Sequence, residues 1–365
     1  MTRDVRCRCF SASEFVSSAD ALLPLWLKKT STIMSMTCRK LTFVLILGSC
    51  ALVAYLVRFD RGVLRKSSHW RVDNEPEVRV HHPGTSDTSD SRWNVTLVHL
   101  NGVRLGNQLF QLASLCGIAG ENGRHLQLTP PLRRELSAVF PRVSSLPAVS
   151  RRLAKTYRRL GETKGFAVYN DQLLNLPREN IQISGYLQSW RYFTAHEEEV
   201  RALLEFKPEI AAAASQFFAT LMRRLTPGHV TLVGVHVRRG DIVTRPWLRV
   251  PGRMYIVNAM TYFRRQFPDV HFVLCSDDIT WCEKELGVLP NVTVSKGNRP
   301  EVDLAILAGC RHAVMTVGTF GWWGAWLSGG QVVYYPTPSV EGTARAKRFK
   351  ASDYFPPHWI PGSGE

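Results

Sequence analysis

The chain has 365 residues, 45% of them hydrophobic and 21% charged, which excludes an intrinsically disordered protein and leaves room for roughly two domains. A formal charge of +16 raises nucleic acid as a partner, but the basic residues are scattered. No homeodomain, zinc-finger or RNP-type motif accompanies them, so no nucleic-acid partner is expected.

The first apolar run, residues 41–57, holds 17 residues without a charge, the short end of the range for a membrane-spanning helix. It lacks the polar stripe of a buried core helix, and no clean small-x-small cleavage site follows it. A transmembrane signal anchor is therefore expected, with residues 1–40 as a cytosolic tail. Basic residues flank the run on both sides, so the positive-inside rule does not decide its topology. The sequons Asn94-Val-Thr and Asn291-Val-Thr both follow the run. As N-glycosylation sites they are usable only in a lumen, which leans toward a type II arrangement. Residues 58–92 are polar, contain Pro76 and Pro83, and cannot bury enough apolar surface to fold alone; they read as a stem. Cys116, Cys275, Cys282 and Cys310 follow it and could form up to two disulfides, and Cys275 in an apolar strand has a second open reading as space-filling. No Cys-x-x-Cys pair or Cys/His ligand spacing points to zinc.

From Trp93 the pattern becomes globular. Strands are expected at 95–100, 125–128 and 181–187, with a helix at 109–119 stopped near Gly120 and Gly123. The densely basic stretch 133–164 reads as a solvated helical face, and 202–225 as one long helix. The second half alternates more clearly. Strands at 230–237, 270–275, 292–294, 313–317 and 332–335 are interleaved with helices at 254–267, 281–286, 302–310 and 322–327. Such repeated β-α units imply parallel sheets with helices on both faces. An α/β protein of two lobes facing a cleft is expected, divided into 93–228 and 229–365.

Four strand-to-helix turns carry the chemistry, because ligands of open α/β sheets bind at the carboxyl ends of strands. In His236-Val-Arg-Arg-Gly-Asp241 the alternation of a strand puts His236 and Arg238 on one face and Arg239 on the other. His236 and Arg238 are thus expected to meet one ligand, and Arg239 and Asp241 to anchor the loop. Ser276-Asp277-Asp278 has two open readings, a divalent metal grip or a helix cap, with capping preferred for at least one aspartate. Asp303 lies near a helix start, where a carboxylate is favoured anyway, and could also receive a base edge. Thr316-Val-Gly-Thr-Phe-Gly321 is a Gly-Thr turn at a helix N-terminus, suited to phosphate. The tryptophans that follow, Trp322, Trp323 and Trp326, read as core rather than sugar platform. In the first lobe, Gly106-Asn107-Gln108 opens an apolar helix and has two open readings, a helix cap or, if it faces the cleft, amides offered to a sugar.

His236-Val-Arg-Arg-Gly-Asp241 resembles the His-x-Arg-Arg-x-Asp motif of α1,2- and α1,6-fucosyltransferases. With Arg104-Leu-Gly-Asn-Gln108, Ser276-Asp-Asp278 and Thr316-Val-Gly-Thr-Phe-Gly-Trp-Trp-Gly-Ala-Trp-Leu-Ser-Gly-Gly330, residues 95–340 are similar to the galactoside α1,2-fucosyltransferase family, glycosyltransferase family 11. The resemblance implies a GT-B-like fold of two Rossmann-like lobes, an acceptor-side first lobe and a GDP-fucose-binding second lobe. It also implies an inverting transfer of L-fucose from GDP-β-L-fucose to a galactose-terminated glycan, no metal or other cofactor, and a single-pass type II Golgi enzyme. On that resemblance Arg238 binds the diphosphate, His236 and Asp303 hold the GDP moiety, Thr319 and Phe320 line the donor site, and Asn107 faces the reacting sugar. Vertebrate members usually read Gly-Asn-Gln-Met at the first motif, where this chain has Gly106-Asn-Gln-Leu109. That departure, and the bulk of Trp322, Trp323 and Trp326, bears on the acceptor more than on the donor. Other readings of the same residues are a fucosyltransferase for core N-glycan or protein hydroxyls, a metal-dependent transferase centred on Asp277 and Asp278, and a non-catalytic lumenal lectin.

Overall fold

The computed structural model describes residues 93–363, apart from 99, 101, 226 and 227. The expected tail, anchor and stem lie outside the described residues. Among those described, no helix is long and apolar enough to cross a membrane.

The first lobe holds a four-stranded parallel sheet. Strand β1 (Asn94–Leu97) leads into helix α1 (Leu105–Glu121), then β2 (His125–Leu126) and helix α2 (Pro130–Ser137), followed by β3 (Arg158–Gly161) and β4 (Ile181–Ser184). Their order across the sheet is β2-β1-β4-β3. Strand β1 is therefore flanked by β2 on one side and β4 on the other, with Val95 paired to both Leu126 and Ile181. The basic stretch is not a single helical face. Arg133 and Arg134 lie on α2, whereas Arg158 and Arg159 form the exposed edge strand β3, paired with Ile181 and Gln182. An edge strand of charged residues has no apolar alternation to betray it, and those charges keep other chains from adding to the edge.

The expected helix 202–225 is two helices, α3 (Glu197–Leu203) and α4 (Pro208–Met222). Pro208 bars the helical conformation from the residue before it, and Lys207 is accordingly extended at φ −53°, ψ 146°.

The second lobe is a six-stranded sheet, again all parallel. Its elements are β5 (Thr231–Val237), α5 (Arg253–Gln266), β6 (Val270–Ser276), α6 (Ile279–Glu285), β7 (Val292–Val294), α7 (Pro300–Gly309), β8 (His312–Met315), α8 (Thr319–Ser328), β9 (Val332–Tyr334) and β10 (Ile360–Pro361). The order β10-β9-β8-β5-β6-β7 puts β5 between β6 and β8. The chain runs from β5 outward through β6 and β7, then returns to β8 and runs outward the other way. Val233, Val235 and Val237 of β5 are fully buried, as expected of a central parallel strand covered on both faces.

Helix α1 is buried nearly all round because it is clasped between the lobes. Phe110 lies with its ring centre 4.5 Å from that of Trp322 and 5.2 Å from that of Trp323, so one apolar core runs through both sheets. All three tryptophans of α8 are buried in it. Trp322 donates its indole N–H to the Tyr354 carbonyl at 2.9 Å, and the Arg201 guanidinium covers Trp326 at 4.0 Å. The four described cysteines are all free thiols, and Cys275, Cys282 and Cys310 are packed in the interior.

Candidate functional site at the meeting of two switch points

Each sheet has a point where the chain reverses direction across it, and a crevice opens there at the carboxyl ends of the two central strands. In the second sheet that point lies between β5 and β8, which deliver His236 to Arg238 and Thr316 to Thr319. In the first sheet it lies between β1 and β4, which deliver Arg104 to Asn107 and Gly185 to Gln188. The two points meet. Thr319 Oγ1 lies 2.8 Å from Asn107 Oδ1, and Gln188 Nε2 donates to the same oxygen at 3.0 Å. A cavity of about 1450 Å3 opens around this contact, lined among others by Asn107, His236, Arg238, Asp303, Thr319 and Phe320. That exceeds the roughly 300–1,000 Å3 of a single small-molecule site.

Close approach of the lobes depends on Gly106. A Cβ there would lie 2.6 Å from the Phe320 nitrogen and 2.7 Å from Thr319 Oγ1. Gly318, at φ 96°, adopts a backbone conformation that side chains disfavour and begins α8. The first N–H groups of α1 and α8 have no intrahelical partner and carry the positive ends of two helix dipoles to one place, which favours an anion between them.

Arg238 is held by carboxylates on two sides. Its guanidinium pairs with Asp241 and with Asp277, and its backbone N–H donates to Thr316 Oγ1 at 2.9 Å. Burial lowers its pKa, as do Arg104 and Arg245, while Asp241 opposes them. Asp241 also faces Arg104 and Arg245, both at 3.5 Å. Burial works against the ionised Asp241, but these three guanidiniums outweigh it and hold the carboxyl below its usual range. Arg239 turns away from the cavity. Its Nε lies 3.4 Å from Asp278, and its guanidinium stacks 4.1 Å from the Trp281 ring centre. Asp278 caps α6 by accepting the Trp281 N–H at 3.1 Å, and Asp277 accepts the Arg239 backbone N–H at 2.8 Å. Among the described residues no three His, Cys, Asp or Glu side chains converge as a metal ion would require.

His236 is buried, its ring centre 5.6 Å from that of Phe320. Nδ1 is sealed without a hydrogen-bond partner, and a Cβ on Gly321 would come within 2.1 Å of it. Burial, reinforced by Arg238, pulls the imidazole pKa down to about 3, so the ring is neutral. Asp303 Oδ1 accepts from Ser295 Oγ at 2.8 Å and from Asn298 Nδ2 at 3.3 Å. Burial pushes this carboxyl up against those bonds. Of the sequons, Asn291 is exposed, whereas Asn94 uses its side-chain amide to reach Asn180 Oδ1 at 3.0 Å.

Several residues of this site escape the sequence reading. Gln188 and Glu162 are unmarked by any motif, because their partners come from distant segments. Glu162 accepts the backbone N–H groups of Tyr186 at 2.9 Å and Leu187 at 3.1 Å and so fixes the turn that precedes Gln188. Ser295 is a short hydroxyl residue at a strand end, whose only signal is that position.

A family model described as Glycosyl transferase family 11 matches residues 56–362. Galactoside alpha-(1,2)-fucosyltransferase 1 of Oryctolagus cuniculus is 32% identical over 275 residues, covering 72% of each chain. Galactoside alpha-(1,2)-fucosyltransferase 2 of Sus scrofa is 28% identical over 330 residues, covering 87% of this chain and 92% of its own. Among solved structures, NodZ alpha-1,6-fucosyltransferase co-crystallised with GDP aligns over 68% of this chain and 97% of its own, with 15% identity and a TM-score of 0.46.

Proposed function

The chain belongs to glycosyl transferase family 11, and on that premise we propose that it transfers L-fucose from GDP-β-L-fucose to the 2-hydroxyl of a terminal galactoside, with inversion. The observation that carries this reading is the contact between the two switch points. It sets an arginine fork, two helix N-termini and an amide from the opposite lobe around one cavity. A GT-B-like pairing of an acceptor-side lobe with a donor-binding lobe is the arrangement such a cleft would serve.

In the reaction the bond between fucose C1 and the β-phosphate oxygen breaks, and GDP leaves with the electron pair. A new bond forms from the galactoside oxygen to the opposite face of C1 as its O–H bond breaks, and the proton is released to solvent. Negative charge grows on the phosphate, and fixed donors aimed at that charge supply the largest catalytic effect. Arg238, already oriented by Asp241 and Asp277, and the free amides at the start of α8 are those donors. The Thr319 hydroxyl is oriented toward Asn107, so the backbone amides rather than that hydroxyl serve the phosphate. Asn107, with its oxygen taken by Gln188 and Thr319, keeps both amide N–H bonds for the reacting sugar. Neutral His236 offers Nε2–H to the nucleotide, and Asp303 accepts from the guanine edge through its free oxygen. On this reading the transfer needs no metal, which the engagement of Asp277 and Asp278 by Arg238, Arg239 and Trp281 supports. The same reading makes residues 41–57 a type II anchor in the Golgi membrane, with the stem and both lobes in the lumen and Asn291 the sequon open to glycosylation.

Calorimetry with GDP tests the reading. The wild-type chain should bind GDP at sub-millimolar concentration, and Arg238→Lys at least tenfold more weakly, because an ammonium cannot reproduce the guanidinium fork. No heat with GDP would instead favour a lectin.

A further inference from the structure

Beyond β9 the chain returns to the first lobe along the cleft. Phe349 bridges to Ala167, and the Lys350 N–H donates to the Ala167 carbonyl at 3.2 Å. Arg345, in the short helical turn Ala344–Lys347 of this segment, lines the cavity. Its guanidinium lies 4.4 Å from the centre of the Phe166 ring. Its Nε is sealed from solvent and has no hydrogen-bond partner. Burial lowers its pKa, and the groups that oppose burial are the Tyr354 and Tyr186 hydroxyls, not a carboxylate. Glu162, the half-buried carboxyl near this segment, is influenced by Arg348 instead.

Arg345 is half-buried, and even a partly desolvated guanidinium is ordinarily paired, since an uncompensated charge shielded from water is costly. Stacking on one ring offsets only part of that cost. An arginine left this way in a ligand cavity is matched to an anion that arrives with the ligand, because its planar fork suits carboxylate, sulfate and phosphate alike. Two sources exist, the donor diphosphate and an acidic acceptor. The donor phosphates are claimed by Arg238 and the α8 N-terminus. Phe166 and Tyr186, the neighbours of Arg345, belong to the first lobe, and Tyr186 leads directly to Gln188, which holds Asn107.

We infer that Arg345 is a specificity-determining residue for the acceptor, receiving a sulfate or carboxylate carried on or beside the galactose that is fucosylated. The inference rests on the reading of this cleft as a fucosyltransferase site.

The test uses the full chain and three acceptors: a β-galactosyl-N-acetylglucosamine disaccharide, and the same disaccharide sulfated at O6 of either sugar. Each is titrated calorimetrically in the presence of GDP and then assayed for transfer with GDP-fucose. At least one sulfated form should bind roughly tenfold or more tightly than the neutral one, as a charge-assisted bidentate contact provides. Arg345→Met keeps an apolar stem over Phe166 and should erase that preference, and Arg345→Lys should retain part of it. The preference is a ratio, so a general loss of folded protein does not mimic the result. Equal binding of all three acceptors by the wild type overturns the inference, as does a preference that survives in Arg345→Met. Weaker GDP binding in Arg345→Met with the preference intact assigns the residue to the donor. If the wild type prefers a sulfated acceptor yet transfers fucose to none, the transferase reading fails and the anion site stands.

Discussion

Asn107 is positioned from behind by a relay of first-lobe groups. The Glu162 carboxylate holds the Tyr186 and Leu187 amides, and the next residue, Gln188, donates to Asn107 Oδ1. Leu187 pays for this turn with a φ of 53°, in the left-handed region. Burial pushes the Glu162 carboxyl from 4.5 up to about 7, against the pull of the two amides and of Arg348. A carboxyl whose folded pKa lies above its unfolded one stabilises the fold fully below the unfolded value, and that contribution is lost as pH rises through the folded value. From pH 5 to pH 8 the wild type should therefore lose about 2.5 kcal/mol of stability that Glu162→Gln does not lose. Urea unfolding of both proteins at the two pH values measures this. A wild type and variant that respond identically to pH would show that Glu162 titrates normally.

At the level of elements, the site depends on how closely the start of α1 approaches the start of α8. Any side chain at position 106 meets backbone at Phe320 rather than a flexible tip, so relief requires the helices to part. Misplacement of a positioning group by about 1 Å can cost 10²-fold in rate. Gly106→Ala is expected to lower kcat/KM at least tenfold through the Asn107–Thr319 contact, and near-normal steady-state kinetics would contradict that role. The elements that build this junction are also the ones legible in the sequence. Strands β5, β6 and β8 announce themselves as apolar runs, and the turns after them as His-Arg-Arg, Ser-Asp-Asp and Thr-Val-Gly-Thr. Strand β3 stays hidden because an exposed edge needs no apolar face. The break before Pro208 is masked because apolar residues continue on both sides of it, Leu203, Leu204 and Phe206 before and Ile210 after. Asn107 and Thr319 are each visible as turn residues. That they touch is a fact of tertiary structure, and no local pattern encodes it.

At the scale of the whole molecule, two parallel sheets present their switch points to each other, and the C-terminal segment ties the lobes together. Asp353, buried, accepts the Tyr169 backbone N–H at 3.0 Å and pairs with Arg191 at 3.1 Å. The Ser189 hydroxyl donates to the Asp353 carbonyl at 2.6 Å, and the Trp190 indole to the Ser352 carbonyl at 3.1 Å. The second lobe therefore reaches across to brace the segment just after Gln188. The chain's net positive charge extends into the lobes and favours the approach of an anionic nucleotide sugar, an effect that fades with salt. This junction is expected to move fucose without a metal. The full chain should be incubated with GDP-fucose and a β-galactoside in excess EDTA and the product analysed by NMR. Undiminished transfer giving an α-linked fucose on O2 of galactose is the expected result. Transfer abolished by EDTA and restored by manganese would contradict it, as would fucose attached at any other position.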